Sequence, residues 1–151
     1  MAIDEYKDYI VYDAKDKVLG RLASTVAKDL LNGKKVAVIN AEMAFISGNR
    51  LNIAKRYRVR LNLQEKENPE HSPYWSRRPD FLVRRIIRGM LPYHKKPSGK
   101  AAYKRLRVFV GSPKELNGLK SIEVKTKSPK SMYVGYVYIK DLSKTLGYVK
   151  N

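Results

Sequence analysis

Arg84, Arg85 and Arg88 fall within a roughly 100° arc of a predicted helix, and Leu82, Val83, Ile86, Ile87, Met90 and Leu91 fill a separate arc of roughly 180°. Apolar residues on one side fix the helix to a core, so the three guanidinium groups must share one exterior region. Each presents a planar fork of donors suited to phosphate oxygens. A solvated helix face mixes signs, whereas this one has no acid within four residues of Arg88 and only Asp80 upstream. Arg77 and Arg78 precede it, and His94, Lys95 and Lys96 follow.

A second predicted helix repeats the design, with Lys55, Arg56, Arg58 and Arg60 beside a stripe of Ile53, Tyr57 and Leu61. Lys104, Arg105 and Arg107 form a third cluster, and Lys100 before it is a further candidate. Between Lys55 and Arg107 lie 16 of the 32 basic residues and 4 of the 14 acids, so this third of the chain carries +12 of the net +18. A charge asymmetry of this size points to a polyanionic partner. About eight phosphate contacts to folded or single-stranded RNA would give a log–log salt slope of about −6. Trp75 has two readings: a platform for an unpaired base, or an anchor for its loop. His94 is suited to a phosphate or ribose contact.

Several chemistries are disfavoured. The chain has no cysteine and two histidines, which leaves no thiolate or His-rich metal site. Neither histidine has an acid–base partner at useful spacing, so no catalytic residue is expected. Asp13 and Asp16 stand near a strand end, where a carboxylate more often sets a turn or caps a helix than holds magnesium. No cofactor is expected, with room only for structural magnesium ions bridging protein to RNA phosphate. The sequence contains no glycine-rich phosphate loop and no nucleophile elbow. The amino terminus lacks the pattern of a secretory signal, and no run approaches the roughly 18 apolar residues of a membrane span. A soluble intracellular protein without a membrane partner or small-molecule substrate is the expectation.

The elements that position these residues follow from periodicity. Tyr9 to Tyr12 and Val36 to Ile39 read as strands, the second buried on both faces. Between them Leu19, Leu22, Ala23, Val26, Ala27, Leu30 and Leu31 share one half of a helix, with Asp16 as the expected N-cap and Gly33 as its stop. Strand, helix and strand form a βαβ unit with a parallel pair. Phe45-Ile46 is short extended chain, and Asn49 caps the second helix. Residues 64–79 read as a loop, and Pro79-Asp80 opens the arginine helix, which Pro92 ends. A short helical stretch, with Ala101, Ala102 and Leu106 available for packing, leads to a strand at Arg107 to Val110. Turns are expected at Asn117-Gly118 and Ser128-Pro129, then extended chain from Met132 to Ile139 and a last helical turn stopped by Gly147.

These segments resemble the large-subunit ribosomal protein family uL13, also called L13 and L13a. The match rests on Leu19-Gly20-Arg21-Leu22-Ala23-Ser24, on Val38-Ile39-Asn40-Ala41-Glu42 with Ser47-Gly48-Asn49, and most specifically on Ile87-Arg88-Gly89-Met90-Leu91-Pro92. Gly99-Lys100, Arg105-Leu106 and Gly111-Ser112-Pro113 continue it. The short chain and its Tyr/Val-rich tail are similar to archaeal members. The resemblance implies an α/β fold, a three-layer α/β/α arrangement around a four-stranded, mostly parallel sheet. It implies one rRNA-binding domain over residues 1–127 and a C-terminal extension over 128–151 packed on the domain or on neighbours. It also implies a non-enzymatic constituent of the cytoplasmic large ribosomal subunit that binds large-subunit rRNA early in assembly beside neighbouring ribosomal proteins. Arg84, Arg85, Arg88, Lys95, Lys96, Lys104 and Arg105 are the RNA-facing residues it carries over.

Overall fold

The computed structural model describes residues 6–116, 119–126 and 128–149. The chain opens with β1 (Tyr9–Asp13), α1 (Leu19–Leu31) and β2 (Lys35–Ile39). β1 and β2 pair in parallel, Tyr9 opposite Lys35 and Asp13 opposite Ile39. This is the βαβ unit that the periodicity predicts. Val36, Ala37 and Val38 are fully buried, as a central parallel strand requires. After β3 (Phe45–Ser47) come three helices, α2 (Arg50–Leu61), α3 (Pro79–Met90) and α4 (Pro97–Lys104). β4 (Leu106–Val108) then joins β2, and β5 (Ser121–Ile122) joins β1, giving a wholly parallel sheet in the order β4-β2-β1-β5.

Alternation along the strands separates two cores. Tyr12, Val36, Val38 and Leu106 face the helices and join the buried sides of α1 and α3. Val11, Ala37 and Ile39 face the other way, where the 3-10 turn Lys114–Leu116 covers them with Leu116, Tyr9 and Phe109. The α/β class and the four-stranded parallel sheet are as expected. Among the described residues the far layer is thin: a single turn and aromatic rings stand where a longer helix would lie.

β6 (Tyr136–Tyr138) pairs antiparallel with β3 and leads into α5 (Ile139–Thr145). Val137, Ile139, Leu142 and Leu146 enter the main core, and the Ser143 hydroxyl donates to the carbonyl of Arg77, just before α3. The start of the arginine helix is therefore held by residues near the chain's end. Its first turn uses Pro79, whose fixed φ suits that position, and Asp80, which accepts two bonds from Arg78 at 2.9 and 3.2 Å.

Several local expectations change. Asp16 does not cap α1: the N-cap is Val18, without a side-chain bond, and Asp16 adopts a left-handed φ of 53° while accepting the Tyr138 hydroxyl at 2.9 Å. That bond helps raise the Tyr138 pKa to about 12. Leu31 and Met90 are exposed, although both lie on predicted apolar arcs. They border one shallow groove at the ends of α1 and α3, because the packed stripe of a helix is narrower than a 180° arc. Ala101 is exposed, and the fourth strand begins at Leu106 and ends at Val108. The turn expected at Asn117-Gly118 lies outside the described residues. Among the described residues, no helix is long and apolar enough to cross a membrane.

Two stability predictions follow from this packing. Ile87 is fully buried and Ile86 is only partly so. Ile87→Asp should therefore lower unfolding free energy by about 4 kcal/mol or more in urea melts, and Ile86→Asp by much less; equal losses would contradict this orientation of α3. The second concerns the bond from the Tyr12 hydroxyl to Asp29, 2.5 Å long. It lowers the Asp29 pKa, while burial and the same bond raise that of Tyr12 to about 12. The depressed carboxylate contributes stability above its unfolded pKa of about 3.9 and loses it as pH falls through the lower folded value. The raised phenol contributes below its unfolded pKa of about 10 and fails as pH rises through the folded value. Tyr12→Phe should cost about 1 kcal/mol at neutral pH, with the difference closing towards acid; a pH-independent cost would show that the carboxylate is not involved.

Candidate nucleic-acid interface

The basic helices are oriented by their buried sides. Asn49 accepts the Leu51 N–H at 2.9 Å to cap α2, whose Ile53, Ala54 and Tyr57 are buried. Lys55, Arg56 and Arg58 are consequently exposed, and Arg60 is half-buried. On α3, Leu82, Val83 and Ile87 are buried, which turns Arg84, Arg85 and Arg88 away from the core; Arg85 and Arg88 line one groove and Arg84 does not. All three are half-buried, and each guanidinium lies over a ring. The Arg84 Cζ is 4.7 Å from the Tyr103 centroid, Arg85 is 3.5 Å from Trp75, and Arg88 is 5.2 Å from Tyr93. Arg60 sits 5.3 Å from Tyr57 and 5.1 Å from Trp75. Arg85 also donates to the Tyr74 carbonyl at 2.8 Å.

Trp75 thus anchors its loop, as one of its two readings has it, but through two arginines that the sequence does not point to. Arg60, Trp75, Arg85, Arg88 and His94 converge on one groove between α2 and α3. The ion pairs found among the described residues are Lys17–Glu123, Lys34–Asp29, Lys35–Asp8 and Arg78–Asp80, and none engages this cluster. Burial, and then the neighbouring charges of Arg88 and Arg60, push the Arg85 pKa down. Cations are crowded here without a compensating acid.

The other basic candidates are spread around this centre. Exposed Lys95 and Lys96 occupy the turn between α3 and α4, which is held by a close backbone approach: a Cβ at Gly99 would lie 2.4 Å from the carbonyl of Pro92. Lys100 and Lys104 are exposed on α4. Arg105 donates to the Leu30 carbonyl at 2.9 Å, closing the C-terminal end of α1, while Arg107 donates to Lys104 at 3.3 Å from the edge strand β4. Arg78 is paired with Asp80 and stacked 5.0 Å from Phe81; Arg77 is exposed beside it. Lys55 and Arg58 line a different groove with Arg50. Sequence reasoning passed over Arg50, although its eight-residue spacing from Arg58 places both on one helical face. It also missed Tyr93 and Tyr103, whose rings meet edge to face at 5.3 Å and support Arg88 and Arg84. Contacts across turns have no periodic signature.

The carboxylates beside the ends of β1 and β2 have internal partners. Asp13 accepts Lys15 N–H and the Asn40 side chain at 2.9 Å each, and Glu42 accepts the Gly111 N–H at 2.9 and 3.1 Å. Among the described residues, no three His, Cys, Asp or Glu side chains are grouped to hold a metal ion.

This scaffold and its basic face have known relatives. The family model for ribosomal protein L13 matches residues 7–115, from the approach to β1 through α4 and β4. The chain belongs to the ribosomal protein L13 family. That family consists of structural proteins and not of enzymes. Similar proteins include the large ribosomal subunit protein uL13 of Methanosphaera stadtmanae, 47% identical over 81% of this chain and 86% of its own. The Methanocaldococcus jannaschii protein of the same name is 44% identical over 91% and 96%, and that of Halobacterium salinarum 37% identical over 97% of both. The likeness to archaeal members extends beyond residue 115 and so takes in β6 and α5.

Trp75→Ala should release Arg60 and Arg85 together. The expected result is a loss of about 1–2 kcal/mol in urea melts, from two cation–π contacts, and increased motion of the Arg85 Nε–H by NMR relaxation. Unchanged relaxation would show that the ring does not hold the guanidinium.

Proposed function

We propose that the protein is a structural constituent of the cytoplasmic large ribosomal subunit and holds folded large-subunit rRNA by phosphate and sugar contacts. The relatives' shared name supports the particle. The observation that carries the contact is the gathering of Arg60, Arg85 and Arg88 on one groove without an acid. Guanidinium forks position a phosphate backbone and do not read its sequence. The other twelve Lys and Arg side chains that the sequence singles out, all exposed or half-exposed, extend this footprint over α2, α3, α4 and their connections. Magnesium bridging between protein and phosphate, an early place in assembly and contacts with neighbouring ribosomal proteins belong to the same reading.

Arg84→Glu, Arg85→Glu and Arg88→Glu combined should abolish incorporation into large-subunit particles. Circular dichroism should show helix content retained, because the buried side of α3 is untouched. Arg88→Ala alone should reduce the log–log salt slope for rRNA binding by about 0.7, one phosphate contact on single-stranded or folded RNA. Normal incorporation of the triple variant would overturn the proposal.

A further inference from the structure

Gly89 lines the arginine groove, and nothing in the protein's own packing calls for a glycine there. It lies in the last turn of α3, outside the left-handed region, and a Cβ built on it meets no heavy atom within 4 Å apart from its chain neighbours and the helix's own backbone. Gly99 is the contrast, since its missing side chain admits the Pro92 backbone. A helical glycine is less stable than alanine in the same place. The space over Gly89 is open, at some cost to the helix, and unlike that over Gly20 on α1 it opens onto a groove.

Ile86, Gly89 and Leu91 supply an apolar lining to this groove, next to Trp75, with Arg60, Arg85 and Arg88 around it. A site for phosphate alone needs the cations and has no use for the apolar part. An acidic side chain from a protein neighbour would likewise leave that surface uncovered. An unstacked nucleotide uses both, because its base has an apolar face that stacks on aromatic and guanidinium planes while its phosphate accepts from arginine. The volume, about 290 Å³, is close to the lower bound of small-ligand pockets and suits one nucleotide.

We infer that the groove receives a single extruded nucleotide of rRNA, its base over Gly89 between Ile86 and Trp75 and its phosphate on Arg60, Arg85 and Arg88. This rests on the rRNA-binding reading above and adds recognition of an unpaired base to phosphate contact.

Gly89→Leu tests it, because it fills the groove, keeps every positive charge and favours the helix; Gly89→Ala is the milder variant. The full-length chain and both variants would be titrated with in vitro transcribed large-subunit rRNA across a salt series, with chemical probing of base edges and circular dichroism melts. Gly89→Leu should weaken binding on the order of tenfold to a hundredfold, the range for one stacked base. It should also expose one nucleotide that the parent protects, at unchanged salt slope and undiminished melting temperature. Gly89→Ala should show a smaller loss at the same nucleotide. Equal affinity and an identical footprint for Gly89→Leu would overturn the inference, and so would a reduced salt slope without a newly exposed base, which would mark a phosphate site. Crosslinking of this groove in assembled subunits to a protein neighbour instead of a nucleotide would also overturn it. If the parent itself showed no salt-dependent rRNA binding, the broader reading would fall instead.

Discussion

The stacking of arginine guanidinium groups on aromatic rings is the constraint around which the basic face is organised. Arg60 and Arg85 share Trp75, Arg88 lies over Tyr93, and Arg84 lies over Tyr103. Like charges a few ångströms apart near a protein surface repel by on the order of a few kcal/mol. A ring face returns about 0.5–2 kcal/mol to each cation. The rings thus offset part of the repulsion without neutralising the charge, which carboxylates would do. What remains uncompensated is available to an external anion, and side-chain motion has already been restricted. This is the preorganisation that strengthens a polyanion contact.

That arrangement depends on where α3 sits. The helix docks its apolar side against α1, which packs on the parallel sheet, so the arginine positions follow from the core. Its start is held from 66 residues away by Ser143 on α5. Its end turns sharply into α4 because Gly99 admits the Pro92 backbone. Ser143 and α1, both outside the basic stretch, therefore help to set its geometry. The C-terminal β6 and α5 contribute to the same core that orients the arginines.

Much of this was legible in the sequence because periodicity reports burial. The βαβ unit, the capped α2 and the two-sided α3 all follow from spacing. Leu82, Val83 and Ile87 turn the arc of Arg84, Arg85 and Arg88 away from the core, but only Arg85 and Arg88 line the groove, while Arg84 lies over Tyr103 on α4. Sequence pattern is silent on what meets across loops. Trp75 reaches arginines on two helices, Asp16 answers Tyr138 from 122 residues away, and Arg105 turns inward to the end of α1. Charge counting treats Arg105 and Arg85 alike, whereas one closes a helix and the other lines a groove. The family resemblance named the parallel sheet but not the thin layer on its far side.

A cryo-electron microscopy map of the large ribosomal subunit carrying this chain tests the central claim most directly. The account predicts rRNA phosphate oxygens within hydrogen-bonding distance of Arg60, Arg85 and Arg88, with Trp75 still stacked on Arg85. A map in which this groove faces solvent or a protein neighbour, with rRNA elsewhere on the chain, would contradict it.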